Sequence, residues 1–438
     1  MIHPEYLRPR WVGGLLPVVF LLAGLGQATC PARAVPGVGD SSGAGLAELA
    51  PLLVRMGVDV HGVFTPIEGR PLEWKISWSA GDANGRKGEL AVTGADMALR
   101  IALEFDPAGD RLRWRVAEGH VNLGAWLVAL AVHPEFSASL AGLTATGELK
   151  ITGAGEWENG APTGELSAEW RDGTVANASQ GWAVDGVTLK AGGDARDIFE
   201  GTVPVELAVR TLVTSRFGAR NLAVRMAVKD MARLEVKSTE IEIAGGRVTA
   251  EPFAVSLAAP ALDVTLAMER VGLQDLVVFV PTTLSYANGR INGRVHLGWS
   301  QSDGLRVGEG ELEIDKGEPT TLRLVSNPGF LTKKVPARFT YSPFNWDPLV
   351  RLFSSPNDSY ETLSLIETGK LALRVDSLEA KLTPEGDGLG RSASVLIHAR
   401  PEQDGSAVGT VIFQINVSGP LASVLRVGMK QSFSVKTR

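Results

Sequence analysis

Apolar and polar residues alternate along most of this chain. Leu112, Trp114 and Val116 are separated by arginines, and the same spacing returns at Leu371, Leu373 and further along. Because successive side chains of a strand point to opposite faces, a period of two predicts strands with one apolar and one polar face. We therefore expect a mainly β protein whose apolar residues line one shared interior.

Turn signals divide this pattern into strands. Pairs such as Asp172-Gly173 and Asn288-Gly289 recur about every 10 to 15 residues, as in a meander of hairpins. Short apolar stretches interrupt the meander, and we expect them to be helices. The predicted helices are residues 43–56, 123–132, 273–280, 346–353 and 421–429.

The chain also contains an internal repeat. Each predicted helix at 123 and 273 is followed by two strands that begin with glycine, at Gly147 and Gly164 in one copy and at Gly293 and Gly310 in the other. Such repeats favour an extended sheet. The length implies about 25 to 30 strands, whereas open sheets rarely exceed ~10 without curling or splitting. Two or three sandwiches, a β-helix and one curled sheet all fit this count.

The N-terminus has the features of an export signal. Arg8 and Arg10 precede an apolar run of about 16 residues, and a small-residue triplet ends at Ala34, where we predict cleavage. An uncleaved anchor is the alternative, and a lipoprotein signal at Cys30 lacks the usual preceding pattern. Cleavage would remove the chain's single cysteine and leave 40 basic and 48 acidic residues of the original 43 and 49. This mildly acidic balance does not favour nucleic acid as a partner.

No catalytic pattern stands out. The six histidines form no metal-ligand spacing, and nucleophile-elbow, phosphate-loop and dinucleotide motifs are absent. Carboxylates spaced by two, such as Glu156 with Glu158 and Glu311 with Glu313, share a face with other polar residues, and His296 does too. We predict no enzyme activity, no metal and no cofactor.

From residue 187 onward the order of motifs resembles the YdbH-like branch of the AsmA-like envelope proteins, which also include TamB and YhdP. The matching segments are Gly245-Gly246-Arg247-Val248-Thr249, Gly272-Leu273-Gln274-Asp275-Leu276, Ala287-Asn288-Gly289-Arg290-Ile291-Asn292-Gly293-Arg294-Val295 and Phe413-Gln414-Ile415-Asn416-Val417-Ser418-Gly419-Pro420-Leu421. Members of this branch are longer and carry an N-terminal transmembrane helix, so the short chain with a cleavable signal departs from them.

This resemblance implies a long curled antiparallel sheet that forms a taco-shaped hydrophobic groove, with a few short apolar helices. The expected division is a signal peptide at 1–34, a linker and amphipathic helix at 35–58, a first groove segment at 59–186 and a YdbH-like segment at 187–438. The groove would bind phospholipid acyl chains and conduct phospholipid between inner and outer membranes, from a place in the periplasm or cell envelope. The expected lining residues are Leu112, Trp114, Val116, Leu149, Ile151, Val224, Met226, Val228, Val264, Leu266, Met268, Val295, Leu297, Trp299, Leu371, Leu373, Val375, Val411, Phe413, Ile415 and Val417.

Two other functions fit the same sequence. One is a scaffold for outer-membrane or cell-surface assembly, in which other envelope proteins would be the partners. The other is a secreted glycan-binding or glycan-cleaving β protein. A dry sandwich core would give the same alternation as a groove, and the width of the interior separates the two.

Overall fold

The fold is mainly β, as the alternation predicts. In the described residues of this computed structural model, 22 strands belong to one long antiparallel sheet and two more form a small separate sheet, with only a few short helices. The structure describes residues 58–67, 70–79, 86–106, 111–132, 140–158, 161–214, 218–230, 232–276, 284–300, 302–340, 354–383 and 391–418. The predicted signal, Cys30 and the predicted helices at 43–56, 346–353 and 421–429 lie outside these residues.

The chain divides into two compact units. Unit 1 runs to Ser215 and includes Arg220–Thr239 and Pro252–Pro260, and unit 2 contains Arg216–Ala219, Glu240–Glu251 and the chain from Ala261. The predicted division between residues 186 and 187 falls inside a strand of unit 1, Trp182–Asp194.

Twelve strands precede residue 244 and form most of unit 1. They are β1 (Val58–Ile67), β2 (Arg70–Trp78), β3 (Arg86–Gly94), β4 (Met97–Asp106), β5 (Arg111–Asn122), β6 (Leu143–Thr146), β7 (Glu148–Glu158), β8 (Ala161–Asn177), β9 (Trp182–Asp194), β10 (Thr202–Thr214), β11 (Gly218–Lys229) and β12 (Arg233–Ile243). Strands β1 to β5 form an antiparallel meander, β5 then pairs with β7, and the ladder continues through β8 and β9 to β10. The short β6 pairs with the end of β8.

Twelve more strands follow. They are β13 (Gly246–Ala250), β14 (Phe253–Ser256), β15 (Ala261–Gly272), β16 (Leu284–Asn288), β17 (Arg290–Ser300), β18 (Gly304–Ile314), β19 (Thr320–Leu324), β20 (Arg338–Thr340), β21 (Ser354–Pro356), β22 (Leu373–Leu382), β23 (Arg391–Pro401) and β24 (Val411–Ser418). In unit 2 the ladder runs from β13 through β15, β17, β18, β22 and β23 to β24, and β16 joins it through β19. Strand β14 pairs with β12, and β20 pairs with β21.

Four α-helices lie among the described residues. They are α1 (Leu123–Val132), α2 (Ala195–Phe199), α3 (Leu273–Leu276) and α4 (Asp358–Glu367). The prediction of a helix at 123–132 is confirmed. Of the predicted helix at 273–280, the described residues show the first turn, α3, and the rest lies outside them.

One predicted turn is wrong. Asp172-Gly173 lies inside β8, where the register with β9 shifts between Trp170 and Gly173. The Trp170 indole lies on Gly173, so that a Cβ at this position would collide with the ring. Its N–H donates to the Thr146 carbonyl oxygen at 3.1 Å. The Asp-Gly pair therefore makes a bulge that accommodates an aromatic ring, and the chain does not reverse.

The internal repeat is present, but its register differs from the predicted one. In unit 1, β5 is followed by a helix and the short strand β6, and β5 pairs with the next long strand, β7. In unit 2, β15 is followed by a helix and the short strand β16, and β15 pairs with β17. The first helical N–H, of Leu123 or Leu273, donates to the carbonyl oxygen of Gly147 or Gly289, at 3.2 and 3.0 Å. Gly147 is therefore equivalent to Gly289, and the predicted match with Gly293 is wrong by four residues.

Candidate functional site

The apolar face of unit 1 changes in exposure along its strands. Next to α1 the side chains of Val121, Leu149 and Trp126 are buried, within a cluster that extends from β2 to β11. At the opposite strand ends Leu112 and Trp114 on the same face are only half-buried. We call the buried end the base and the half-buried end the mouth.

Unit 2 repeats this gradient at equivalent positions. Val271 and Ile291 form the base beside α3, with 2% and 3% of their surface exposed, within a second apolar cluster. At the mouth of this unit Leu262, Leu297 and Trp299 are half-buried. The two units therefore share both a strand order and a direction of increasing exposure.

The predicted lining residues separate into these two classes. The fully buried ones are Leu149, Ile151, Val228, Val264, Leu373, Val375 and Val411. All of them belong to the apolar clusters except Val264, which is opposite Leu297 in unit 2. The half-buried ones are Leu112, Trp114, Val116, Val224, Met226, Leu266, Met268, Val295, Leu297, Trp299, Leu371 and Phe413. Ile415 is 37% exposed, and the side chain of Val417 lies outside the described part of the chain. Leu371 precedes β22 instead of belonging to it.

The two apolar clusters do not include every predicted residue. Those that belong to neither cluster are Leu112, Trp114, Val264, Val295, Leu297, Trp299 and Ile415. Most of these are mouth residues. The mouths are thus apolar surface that the protein's own core leaves partly uncovered.

Sequence reasoning missed two aromatic residues at the mouth of unit 1. Trp157 is directly opposite Leu112 in the ladder, on the apolar face of β7. Its ring meets that of Phe199 edge to face, with 5.7 Å between centroids, and Phe199 is 47% exposed. The period of two places Trp157 on the same face of β7 as Leu149 and Ile151, so the sequence alone indicates its position.

Trp114 lies flat on the sheet. It is opposite Gly155, and a Cβ added at Gly153 or Gly155 would lie 3.1 or 2.9 Å from its six-membered ring. The missing side chains let the indole rest on the β7 backbone, an arrangement by which aromatics cover cross-strand glycines. Trp78 covers Gly88 of β3 in the same way. A ring that lies flat against the backbone extends only a short distance above the sheet.

The opposite face of the sheet carries charges in pairs. Lys87 Nζ is 3.2 Å from Glu104, and Arg113 donates to Glu156 at 3.0 Å. His296, expected on the polar face, is 2.6 Å from Asp263 there. Glu156 thus forms an ion pair with an arginine on this face.

Among the described residues, the carboxyl group whose pKa departs most from its ordinary value is that of Glu367, at the end of α4. Only 3% of this residue is exposed. Its oxygens accept hydrogen bonds from the backbone N–H groups of Gly329, Leu331 and Thr332 and from the Thr332 hydroxyl, at 2.8 to 3.1 Å. Burial raises the pKa of Glu367, but these four donors outweigh burial and lower the pKa to about 2. The carboxylate ties a loop to α4, and with both oxygens occupied it is not placed for acid–base chemistry.

A polar pocket of about 730 Å³ lies in unit 2, on the outer side of β16 and β19. The Arg323 guanidinium is 5.8 Å from the centre of the Tyr286 ring at its edge. Ser285, Asn288, Thr321 and Glu402 also line it with groups that can form hydrogen bonds. Its polarity separates this pocket from the apolar mouths.

The described residues contain neither a metal-binding cluster nor a membrane-spanning helix. No group of three histidine, cysteine, aspartate or glutamate side chains there has the geometry to hold a metal ion. No helix in that part of the chain combines the length and apolar character needed to cross a bilayer.

Comparison with protein-family models and with curated proteins gives no match for this chain. The resemblance to the YdbH-like branch therefore stays a prediction from the motifs.

Proposed function

We propose that this protein binds phospholipid acyl chains on the apolar mouths of its two units and conducts phospholipid between inner and outer membranes. One observation carries the proposal: both units expose an apolar strand face at the same end of the same repeated module. The partly uncovered residues Leu112, Leu297 and Trp299 are the core of this surface.

The physical reason is the cost of exposing lipid tails to water. Each exposed CH₂ costs about 0.8 kcal/mol, so a continuous apolar surface lowers the barrier for a lipid that leaves a bilayer. The paired charges on the opposite face keep that side in water. No bond is made or broken in this process, and we propose a non-catalytic role.

The flat tryptophan favours an open interior over a dry sandwich. Two sheets that pack face to face fill about 10 Å with side chains that stand up from both sheets. Trp114, the largest side chain of β5, instead lies along Gly153 and Gly155. A mouth lined in this way suits a flexible acyl chain.

The cellular setting of the proposal comes from the sequence. On the N-terminal signal and the motif order we propose that the protein acts in the periplasm or cell envelope, either released or anchored in the inner membrane. Its partners there would be the inner or outer membrane and other envelope proteins. Assembly scaffolds and glycan-binding proteins remain the alternatives, and neither requires lipid at the mouths.

The two faces of β17 offer a direct test. Photo-crosslinking amino acids at Leu297, on the apolar face, should capture phospholipid in cells, whereas the same groups at the exposed Arg294 should not. Capture at neither position, or equally at both, would contradict the proposal.

Two charge substitutions on β17 distinguish a mouth residue from a base residue. Leu297→Asp should remove lipid capture and leave the chain folded, because a carboxylate at a half-exposed position keeps part of its hydration. Ile291→Asp is the matched control: this residue is 3% exposed, and an unpaired charge there should unfold the unit. If Leu297→Asp unfolds the chain as readily as Ile291→Asp, the mouth is an ordinary core.

A further inference from the structure

A tryptophan occupies the same position at the mouth of both units. Leu112 is opposite Trp157 in unit 1, and Leu262 is opposite Trp299 in unit 2. Both pairs of strands have the same length between mouth and base. Nine residues separate Leu112 from Val121 in β5, and nine separate Leu262 from Val271 in β15. On the partner strand eight residues separate Trp157 from Leu149 and Trp299 from Ile291. Each ladder contains one register shift between mouth and base.

Both tryptophans lie where apolar surface gives way to polar groups. Trp157 and Trp299 are half-buried. Trp157 follows Glu156, which is paired with Arg113 on the other face. Trp299 precedes Ser300, whose hydroxyl donates to Asp303 at 3.0 Å in the turn that closes β17. Among the described residues, neither indole N–H donates to a protein acceptor. Tryptophan favours such boundaries because its ring is apolar and its N–H requires a hydrogen-bond acceptor.

The distance from base to mouth exceeds the depth of one lipid leaflet's hydrocarbon. Leu149 and Ile291 are 1% and 3% exposed and mark the closed end of their strands. From these residues to Trp157 and Trp299 there are eight residues in each unit, or about 26 Å at ~3.3 Å per residue. Half of a bilayer's hydrocarbon core is about 15 Å. The apolar path below each tryptophan is therefore long enough to cover a lipid tail.

From these observations we propose that Trp157 and Trp299 contact the glycerol ester region of a bound diacyl phospholipid, whose tails run along the strands toward the base. This inference rests on the proposed function, and it adds the orientation of the lipid and the residues that set its depth. The indole N–H of each tryptophan is placed to donate to an ester carbonyl oxygen, and the ring packs on the first methylenes.

Two photoreactive phosphatidylcholines test the orientation in the full-length wild-type protein. One carries a diazirine near the ester of its acyl chain, and the other carries it at the chain terminus. After illumination, peptide mass spectrometry should find the ester-side probe on the peptides that contain Trp157 and Trp299. The terminal probe should label positions closer to the base, such as Gly153 and Val295.

The outcomes separate this inference from the proposed function. Labelling of the tryptophans by the terminal probe, or the same pattern with both probes, would overturn the orientation while leaving lipid binding intact. Labelling by neither probe would remove the proposed function itself. As a second measure, Trp299→Leu should release the ester-side probe several-fold faster than wild type, and Trp182→Leu, at the far end of β9, should not. Equal release rates in the two variants would contradict a depth-setting role for Trp299.

Discussion

Replacing Glu367 with glutamine should destabilise unit 2 in a manner that depends on pH. The carboxylate is 3% exposed and accepts four hydrogen bonds, three of them from the backbone of Gly329, Leu331 and Thr332. Glutamine keeps one acceptor oxygen but turns an NH₂ group toward the donors that the second oxygen had satisfied. The loop would lose hydrogen bonds to a charged group and gain a repulsive contact.

The size of the effect follows from the pKa. Glu367 has a pKa of about 2 in the folded chain, against an ordinary value of 4.5. This depression corresponds to about 3 kcal/mol of stability at one carboxylate. Because the folded-state pKa is the lower one, the contribution is fully present above pH 4.5 and is lost as the pH falls toward 2.

Urea unfolding of wild type and Glu367→Gln between pH 7 and pH 2 measures this contribution. We expect the variant to be less stable by about 3 kcal/mol at pH 7 and the two proteins to converge near pH 2. Glu361→Gln is the control, because Glu361 is exposed on the same helix and should change stability little at any pH. A difference at pH 7 that stays constant down to pH 2, or no difference at all, would refute the reasoning.

Three further predictions follow from the fold. Gly155→Val should destabilise unit 1, since its Cβ would collide with the Thr163 carbonyl oxygen and displace a flat indole; thermal unfolding would show a lower Tm, and an unchanged Tm would contradict the packing. Trp126→Phe should raise the average acrylamide quenching of the remaining tryptophans, because it removes one that is 9% exposed; a decrease would mean that α1 does not cover the base. Asn357→Ala should cost about 1 kcal/mol in urea unfolding, because the Asn357 side chain caps the first turn of α4, and no loss would contradict the cap.

The alternation of residues was enough to predict the strands and their faces. Leu149 and Ile151 lie on the apolar face as expected, and His296 lies on the polar face, because the period of two is fixed by backbone geometry. The helix at Leu123–Val132 was equally plain, since its ten residues are apolar throughout.

Alternation could not divide the apolar face into base and mouth. A buried leucine such as Leu149 and a half-buried one such as Leu297 have the same local pattern, and their difference depends on which helix or strand covers them. The repeat register failed for a similar reason. Gly147 and Gly289 are equivalent through their positive φ and the helical N–H that each carbonyl accepts, and spacing between glycines does not encode either property.

Two features were readable but were missed. Asn357 followed by Asp358 and Glu361 is an N-terminal helix signal that marks α4. Trp157 is in phase with the apolar residues of β7, which is enough to place it on their face, although it was not among the predicted lining residues.

The phospholipid content of the purified protein tests the central claim most directly. Wild-type protein and the folded Leu297→Asp variant would be purified from the same cells without lipid-extracting detergent, and bound phospholipid per chain would be measured by mass spectrometry. The account predicts phospholipid bound to wild type in at least a one-to-one ratio and markedly less on the variant. Folded wild-type protein without phospholipid, or equal amounts on both proteins, would contradict it.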